Sequence, residues 1–290
     1  MRVSIEQSNI RVEELTDFSL RDTLDCGQCF RFDEQPDGSF AGFAGDKFLR
    51  VWQPEETSLL FYDTTPKVFE TVWRRYFDLD FDYPGVKAAL SKLHPALCDA
   101  CAFAPGIRIL NQDPWEALCT FILSQNNNIK RIKGIVARLC EAFGEPLPGG
   151  GRAFPRPEAL SNLYKEDLAP LRCGFRDAYL LDAAQKVSSG EVSLQTLTDA
   201  PLEEARARLQ AIRGVGPKVA ECALLYGLHR LSAFPMDVWM KRAMETLFPG
   251  VSVSDFGEYA GVAQQYIFHY SRLHPGLFPE KAEQKKRKAG

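Results

Sequence analysis

The sequence predicts an α+β protein, with an N-terminal antiparallel β-sheet part followed by a large all-helical part containing a helix-hairpin-helix motif. Three observations carry this. From about Ile10 to Thr65 aromatic and polar residues alternate, the period-two pattern of strands with one buried face. Beyond Pro66 the apolar period lengthens to that of helices. At 209–220 two helical patterns meet across a Gly-Val-Gly turn. The expected organisation is a β-rich domain with linking helices over 1–105 and a helical region over 106–278. A charged tail over 279–290 has no periodicity and reads as disordered.

The elements follow in order. In the run from Phe30 to Gln53, Pro36-Asp37-Gly38 and Gly45-Asp46 supply turn chemistry between alternating strands. Phe69, Val72, Trp73, Tyr76 and Phe77 then lie at helical spacing, and Pro84, Pro95, Pro105 and Pro114 punctuate a series of short helices. Residues 114–143 read as a strong helical block interrupted by the polar run Ser124 to Asn128. A loop rich in proline and glycine spans Gly144 to Pro157. Helical patterns resume at 158–164, 176–188, 201–212, 217–230, 238–247 and 256–273.

Composition bounds the function. The 290 residues are 45% apolar and 25% charged, ordinary for a globular chain, and no apolar run approaches the roughly 18 residues of a membrane span. The start of the chain has no apolar segment of the signal-peptide kind, so secretion is not expected. Eight cysteines are too sparse for a disulfide scaffold and suit a reducing compartment. Cys26-x-x-Cys29 and Cys98-x-x-Cys101 lie in unlike contexts and are not read as a zinc site, so no metal or cofactor is expected. A net charge of −3 and a pI near 5.9 argue mildly against a nucleic-acid partner.

The hairpin argues the other way. In Leu209-Gln210-Ala211-Ile212-Arg213-Gly214-Val215-Gly216-Pro217-Lys218-Val219-Ala220, Gly214 and Gly216 are expected to relieve crowding while Val215 folds back between the helices. The bare amides opening the second helix then form an anion site suited to a backbone phosphate. Lys218 sits in a first helical turn, where the dipole opposes its charge. It reads either as a phosphate-binding lysine or as an amine placed for imine chemistry. Asp237, in Phe234-Pro235-Met236-Asp237, precedes a helical pattern and reads as an N-cap whose carboxylate stays ionised.

Hairpin, lysine and downstream aspartate together resemble the helix-hairpin-helix glycosylases, and no cysteine follows Cys222 to hold the iron–sulfur cluster of some relatives. The finer resemblance, covering about Phe18 to Leu273, is to 8-oxoguanine DNA glycosylases. Cys26-Gly27-Gln28-Cys29-Phe30-Arg31 resembles the element whose glycine carbonyl accepts N7–H of the oxidised base, a proton that guanine lacks. On its own residues, Gly27 reads equally as a tight strand bend. Asn126-Asn127-Asn128 and Arg131 resemble the turn that fills the vacated stack and reads the opposite cytosine; alone they read as a capped helix break with a solvated arginine. Gly174-Phe175-Arg176 resembles a wedge followed by a donor to the same cytosine. Gln264 and Phe268, four apart on one helix face, resemble the residues that read and stack on the base, with Cys222 on its other side. Singly, Phe268 and Cys222 read as core. Trp239 stands where many members carry a phosphate-binding histidine.

The resemblance implies a bifunctional glycosylase and lyase acting on oxidised guanine opposite cytosine in duplex DNA. Lys218 would be the nucleophile, Asp237 the stabiliser of positive charge, and Gly27, Cys222, Gln264 and Phe268 the base pocket. Asn126, Arg131, Phe175, Arg176, Gly214, Gly216 and Trp239 would contact DNA. A glycosylase for another damaged purine, or a non-catalytic DNA-binding hairpin, are the competing readings. A complete site in one chain implies a monomer, located in the cytoplasm and nucleoid of a bacterium or the nucleus of a eukaryote. Few placed contacts also reconcile an acidic chain with DNA, since salt dependence scales with the phosphates neutralised.

Overall fold

The computed structural model describes residues 1–278, so the expectation for the 279–290 tail lies outside the described residues. Six antiparallel strands form one sheet: β1 (Arg2–Glu6), β2 (Asn9–Glu13), β3 (Phe32–Glu34), β4 (Phe40–Ala44), β5 (Lys47–Glu55) and β6 (Ser58–Tyr62), in the order β1-β2-β6-β5-β4-β3. The register sets Phe40 beside Val51, Val51 beside Phe61 and Phe61 beside Ile10, so the large residues share one face. That face buries Ile10, Val12, Leu49, Val51 and Phe61 against Phe69 and Trp73 from a helix over 66–76 and against Phe77, which ends it.

Two elements differ from expectation. Strand β1 precedes the predicted start of the sheet; it is solvated on most positions, so pairing with β2, and not burial, defines it. A short helix, Leu20–Asp25, interrupts the predicted meander because Ser19 Oγ caps it by accepting from Asp22 N at 3.2 Å while Leu20 and Leu24 turn inward.

Helices fill the rest. Those most relevant to the site are Pro114–Ser124, Ile129–Phe143, Arg176–Ser188, Leu202–Gln210, Pro217–Cys222 continuing as a π-turn through Ala223–Gly227, Val238–Leu247 and Ala260–Leu273. The final helix starts four residues later than the spacing predicts, because Gly257 adopts φ 63° and breaks the preceding 3₁₀ turn. The predicted 158–164 helix is likewise shortened to Pro157–Ser161.

Polar residues lock the sheet to the helices. Arg31 and Glu116 form a buried ion pair at 3.1 Å; Glu116 also accepts from Gly45 N at 3.0 Å and Arg31 donates to the carbonyls of Gly45 and Arg152. Such a pair is tolerable inside a protein only because its remaining hydrogen-bonding capacity is satisfied. Arg108 is also buried, its guanidinium 4.4 Å from the centre of the Tyr83 ring and donating to the carbonyl of Thr16 at 2.7 Å. Among the described residues no helix is long and apolar enough to cross a membrane.

Candidate active site

Lys218, Asp237, Gly27, Cys222, Gln264 and Phe268 line one small cavity of about 50 Å³, together with Phe121, Tyr226 and Pro235. The sequence assigned the first six to one site and no role to the last three.

Each wall is held by local chemistry. Gly27 has φ +88°, a left-handed conformation that L side chains resist, and an added Cβ would find its nearest neighbour, Ile129, at 3.6 Å. Backbone conformation, and not crowding, therefore selects glycine. The next residue, Gln28, is fully buried and donates from Nε2 to the carbonyls of Thr23 at 2.9 Å and Arg108 at 2.7 Å. Its Oε1 accepts from Leu110 N at 2.9 Å, and its backbone carbonyl accepts from Gln112 Nε2 at 2.7 Å. Gln112 in turn donates its backbone N–H to the carbonyl of Tyr226. The glycine loop is thus tied directly to the opposite wall.

The ammonium of Lys218 donates to Ser124 Oγ at 3.3 Å and lies 5.2 Å from the centre of the Phe121 ring. Burial pushes the neighbouring Cys222 thiol up to about 11, although Lys218 opposes the shift, so a neutral thiol faces the cavity at neutral pH. Asp237 caps the Val238–Leu247 helix, Oδ1 accepting from Met240 N at 2.8 Å. The loop before it is fixed by Glu221, which accepts from Phe234 N at 2.7 Å and pairs with Arg206 of the Leu202–Gln210 helix. Gln264 and Phe268 lie one turn apart, as their spacing implies, with Arg272 a further turn on, 5.9 Å from the Phe268 ring centre.

The hairpin departs in part from expectation. Gly214 takes φ +79° and an added Cβ would lie 2.3 Å from the Tyr179 ring, so crowding and conformation both demand glycine there. Gly216 differs: its φ is −87° and a Cβ would meet nothing within 4 Å. It relieves no internal crowding; it is exposed, and the helix it opens has no side-chain cap, which leaves its first amides to an external acceptor. Val215 is buried between the helices as expected.

Around the Asn turn, Asn126 adopts φ +47° and is exposed, Asn128 caps the following helix by accepting from Arg131 N at 3.0 Å, and Arg131 is exposed. Phe175 is 52% exposed. Arg176, expected as a donor to DNA, is not solvent-facing in this DNA-free structure. It is buried, its guanidinium donating to the carbonyls of Cys173 at 2.9 Å, Asn126 at 2.9 Å and Gln125 at 2.8 Å. With those donors engaged, Arg176 here holds the Asn turn in shape. Trp239 is half-buried, its ring centre 6.2 Å from that of Phe278 and 5.8 Å from the Arg242 guanidinium.

The cavity joins an amine, a carboxylate, an outward amide and an aromatic shelf, a set able to grip a flat polar ring and attack beside it. Comparisons with known proteins span nearly the whole chain. Residues 10–118 match the family described as 8-oxoguanine DNA glycosylase, N-terminal domain, and residues 119–252 match the HhH-GPD superfamily of base excision DNA repair proteins. The N-glycosylase/DNA lyase OGG1 of Arabidopsis thaliana is 30% identical, the match covering 87% of this chain and 77% of the plant protein. The solved Clostridium acetobutylicum 8-oxoguanine glycosylase/lyase, in complex with dsDNA containing cytosine opposite 8-oxoG, superposes with a TM-score of 0.88 at 35% identity, covering 95% of this chain and 99% of that one. The structure of MBOgg1 with a low affinity DNA ligand gives 0.90 at 42% identity, with coverages of 94% and 99%.

Proposed function

Because the chain belongs to the family of 8-oxoguanine DNA glycosylase/lyases, we propose that it removes 8-oxoguanine paired with cytosine from double-stranded DNA by base flipping and then cleaves the strand through an imine. One observation carries the reading: Lys218, Asp237 and the four base-pocket residues, drawn from positions 27 to 268, line a single cavity.

The duplex bends and the damaged nucleotide swings out, which costs a few kcal/mol of unstacking. Exposed Phe175 enters the stack as a wedge, Asn126 fills the vacancy, and Arg131 reads the estranged cytosine. In the cavity the Gly27 carbonyl accepts N7–H of the oxidised base. Guanine would set a lone pair against that carbonyl, and so is rejected. Gln264 reads the Watson–Crick edge between Phe268 and the neutral Cys222 thiol.

Lys218, as the free amine, attacks C1′ of the deoxyribose. The N–C1′ bond forms as the C1′–N9 bond breaks, and the base leaves with the bonding pair and gains a proton. Asp237 stabilises the positive charge that grows on the sugar. Ring opening gives an iminium ion between Lys218 and C1′, which acts as an electron sink. Loss of a proton from C2′ then expels the 3′ phosphate by cleavage of C3′–O.

Borohydride reduction during turnover tests this. The wild type should yield a covalent protein–DNA adduct on an 8-oxoguanine:cytosine duplex, and Lys218→Gln should yield none. No adduct from the wild type, or equal trapping by the variant, refutes the mechanism.

A further inference from the structure

The proposed nucleophile leans on a side chain that the mechanism above leaves out. Ser124 is the last residue of the Pro114–Ser124 helix and is half-buried. A hydroxyl has one proton and two lone pairs. The proton of Ser124 goes to the carbonyl of Phe121, 2.8 Å away, one of the acceptors that the last turn of a helix leaves free. What its Oγ offers Lys218 Nζ, at 3.3 Å, is therefore a lone pair, and the nitrogen must donate. That sense survives deprotonation, because a free amine keeps two N–H groups. Ser124 Oγ is the one oxygen that accepts from Nζ among the described residues. Also near the nitrogen are the Phe121 ring, its centre 5.2 Å away, and the Cys222 thiol.

We propose that Ser124 is a positioning residue for the nucleophile: by accepting one N–H of Lys218 it turns the lone pair of the amine away from the helix wall and into the cavity. The inference rests on the proposed function and deepens it. A lysine amine turns about Cε–Nζ among three staggered positions. Its lone pair cannot face Ser124, whose own lone pair points back and whose only proton is held by the Phe121 carbonyl. The electron-rich face of the Phe121 ring repels it in the same way. Both neighbours draw N–H groups to the wall, and the direction left for the lone pair is the cavity that Lys218 lines. Without the hydroxyl, an amine with its lone pair turned toward position 124 no longer meets an opposing one, and the fraction aimed for attack falls. Attack by this amine opens both base removal and capture of an abasic sugar. A fault in its aim therefore slows both, whereas a fault in the base pocket slows only the first.

The experiment compares wild type, Ser124→Ala and Ser124→Thr in single turnover at saturating enzyme. One substrate is an 8-oxoguanine:cytosine duplex, on which base excision is followed. The other carries a preformed abasic site, on which borohydride trapping of the imine is followed, and affinity is measured for both. Alanine should slow both reactions by the same factor, about 5- to 10-fold (~1–1.4 kcal/mol), the size of one neutral hydrogen bond, with affinity unchanged. Threonine keeps a hydroxyl that can reach the carbonyl three residues back, so it should restore both rates to within about 2-fold of wild type. Full rates with alanine, a loss on one duplex only, a loss that more enzyme removes, or threonine as slow as alanine overturns the proposal. A wild type that forms no adduct on either duplex refutes instead the functional reading beneath it.

Discussion

Replacing Gly27 with alanine separates two consequences of one residue. The first is strain. At φ +88° an alanine costs about 1–2 kcal/mol, as for any L residue held in the left-handed region. Sterics add nothing, since the nearest atoms to the new Cβ lie at 3.6, 3.8 and 3.9 Å, which is ordinary contact. A domain stable by roughly 5–15 kcal/mol therefore stays folded. The second consequence is functional. Relief of the strain would swing the peptide and, under the proposed function, take the carbonyl off the base. Losing its hydrogen bond to N7–H should slow 8-oxoguanine excision by about 10- to 100-fold, roughly 1.4–2.8 kcal/mol. Cleavage of a preformed abasic site requires no base contact and should keep its wild-type rate. The assay is single-turnover kinetics on both duplexes beside urea denaturation. Unchanged excision, or an equal loss on the abasic duplex, refutes the carbonyl's role. Destabilisation beyond about 4 kcal/mol would show that the steric estimate is wrong.

Gly214→Ala should behave differently, because its Cβ would lie 2.3 Å from the Tyr179 ring as well as being strained at φ +79°. Strain and overpacking together predict a loss of about 2–5 kcal/mol and weaker DNA binding at fixed salt; an unfolding free energy within about 1 kcal/mol of wild type would contradict this. His269 sets a pH dependence. Burial first, then the Arg272 charge, lowers its pKa below 6.5, so the unfolded chain binds the proton more readily and stability is lost as pH falls from about 6.5. The slope from this group cannot exceed about 1.4 kcal/mol per pH unit, and His269→Phe should flatten the stability profile between pH 7.5 and 5.5. Parallel profiles for variant and wild type would remove His269 from that role.

How much of this was legible in the sequence depends on the range of the signal. Gln264 with Phe268, and Lys218 with Cys222, are pairs four residues apart, and helical geometry alone puts each pair on one face. The break at the triple asparagine was readable because poor helix formers sit inside a strong apolar period. Tyr226 and Phe121 have the same apolar spacing as any core aromatic; nothing local says that their faces border a cavity. The burial of Arg176 was hidden for the opposite reason. An arginine beside an exposed ring looks free, but the carbonyls it binds at Gln125 and Asn126 come from a turn about 50 residues earlier. Gln28 was visible inside a motif, yet its grip on the Arg108 carbonyl and Leu110 N–H depends on how the sheet docks onto the helices.

The narrowness of the cavity has a consequence for surveillance of an intact genome. Its ≈ 50 Å³ is far below the ~300 Å³ at which ligand pockets begin. Under the proposed function, a purine then has to part the lining side chains before it seats. If that parted form were populated at about 1%, every nucleobase would be held about 100-fold more weakly than its contacts alone allow. On that reading the penalty falls on damaged and undamaged bases alike, and the N7–H of the lesion is the additional proton that the Gly27 carbonyl would accept to offset it. An ordinary guanine would then fail to hold the pocket open, and the narrow cavity would act as a threshold that turns a difference of one hydrogen bond into a decision to engage or let go.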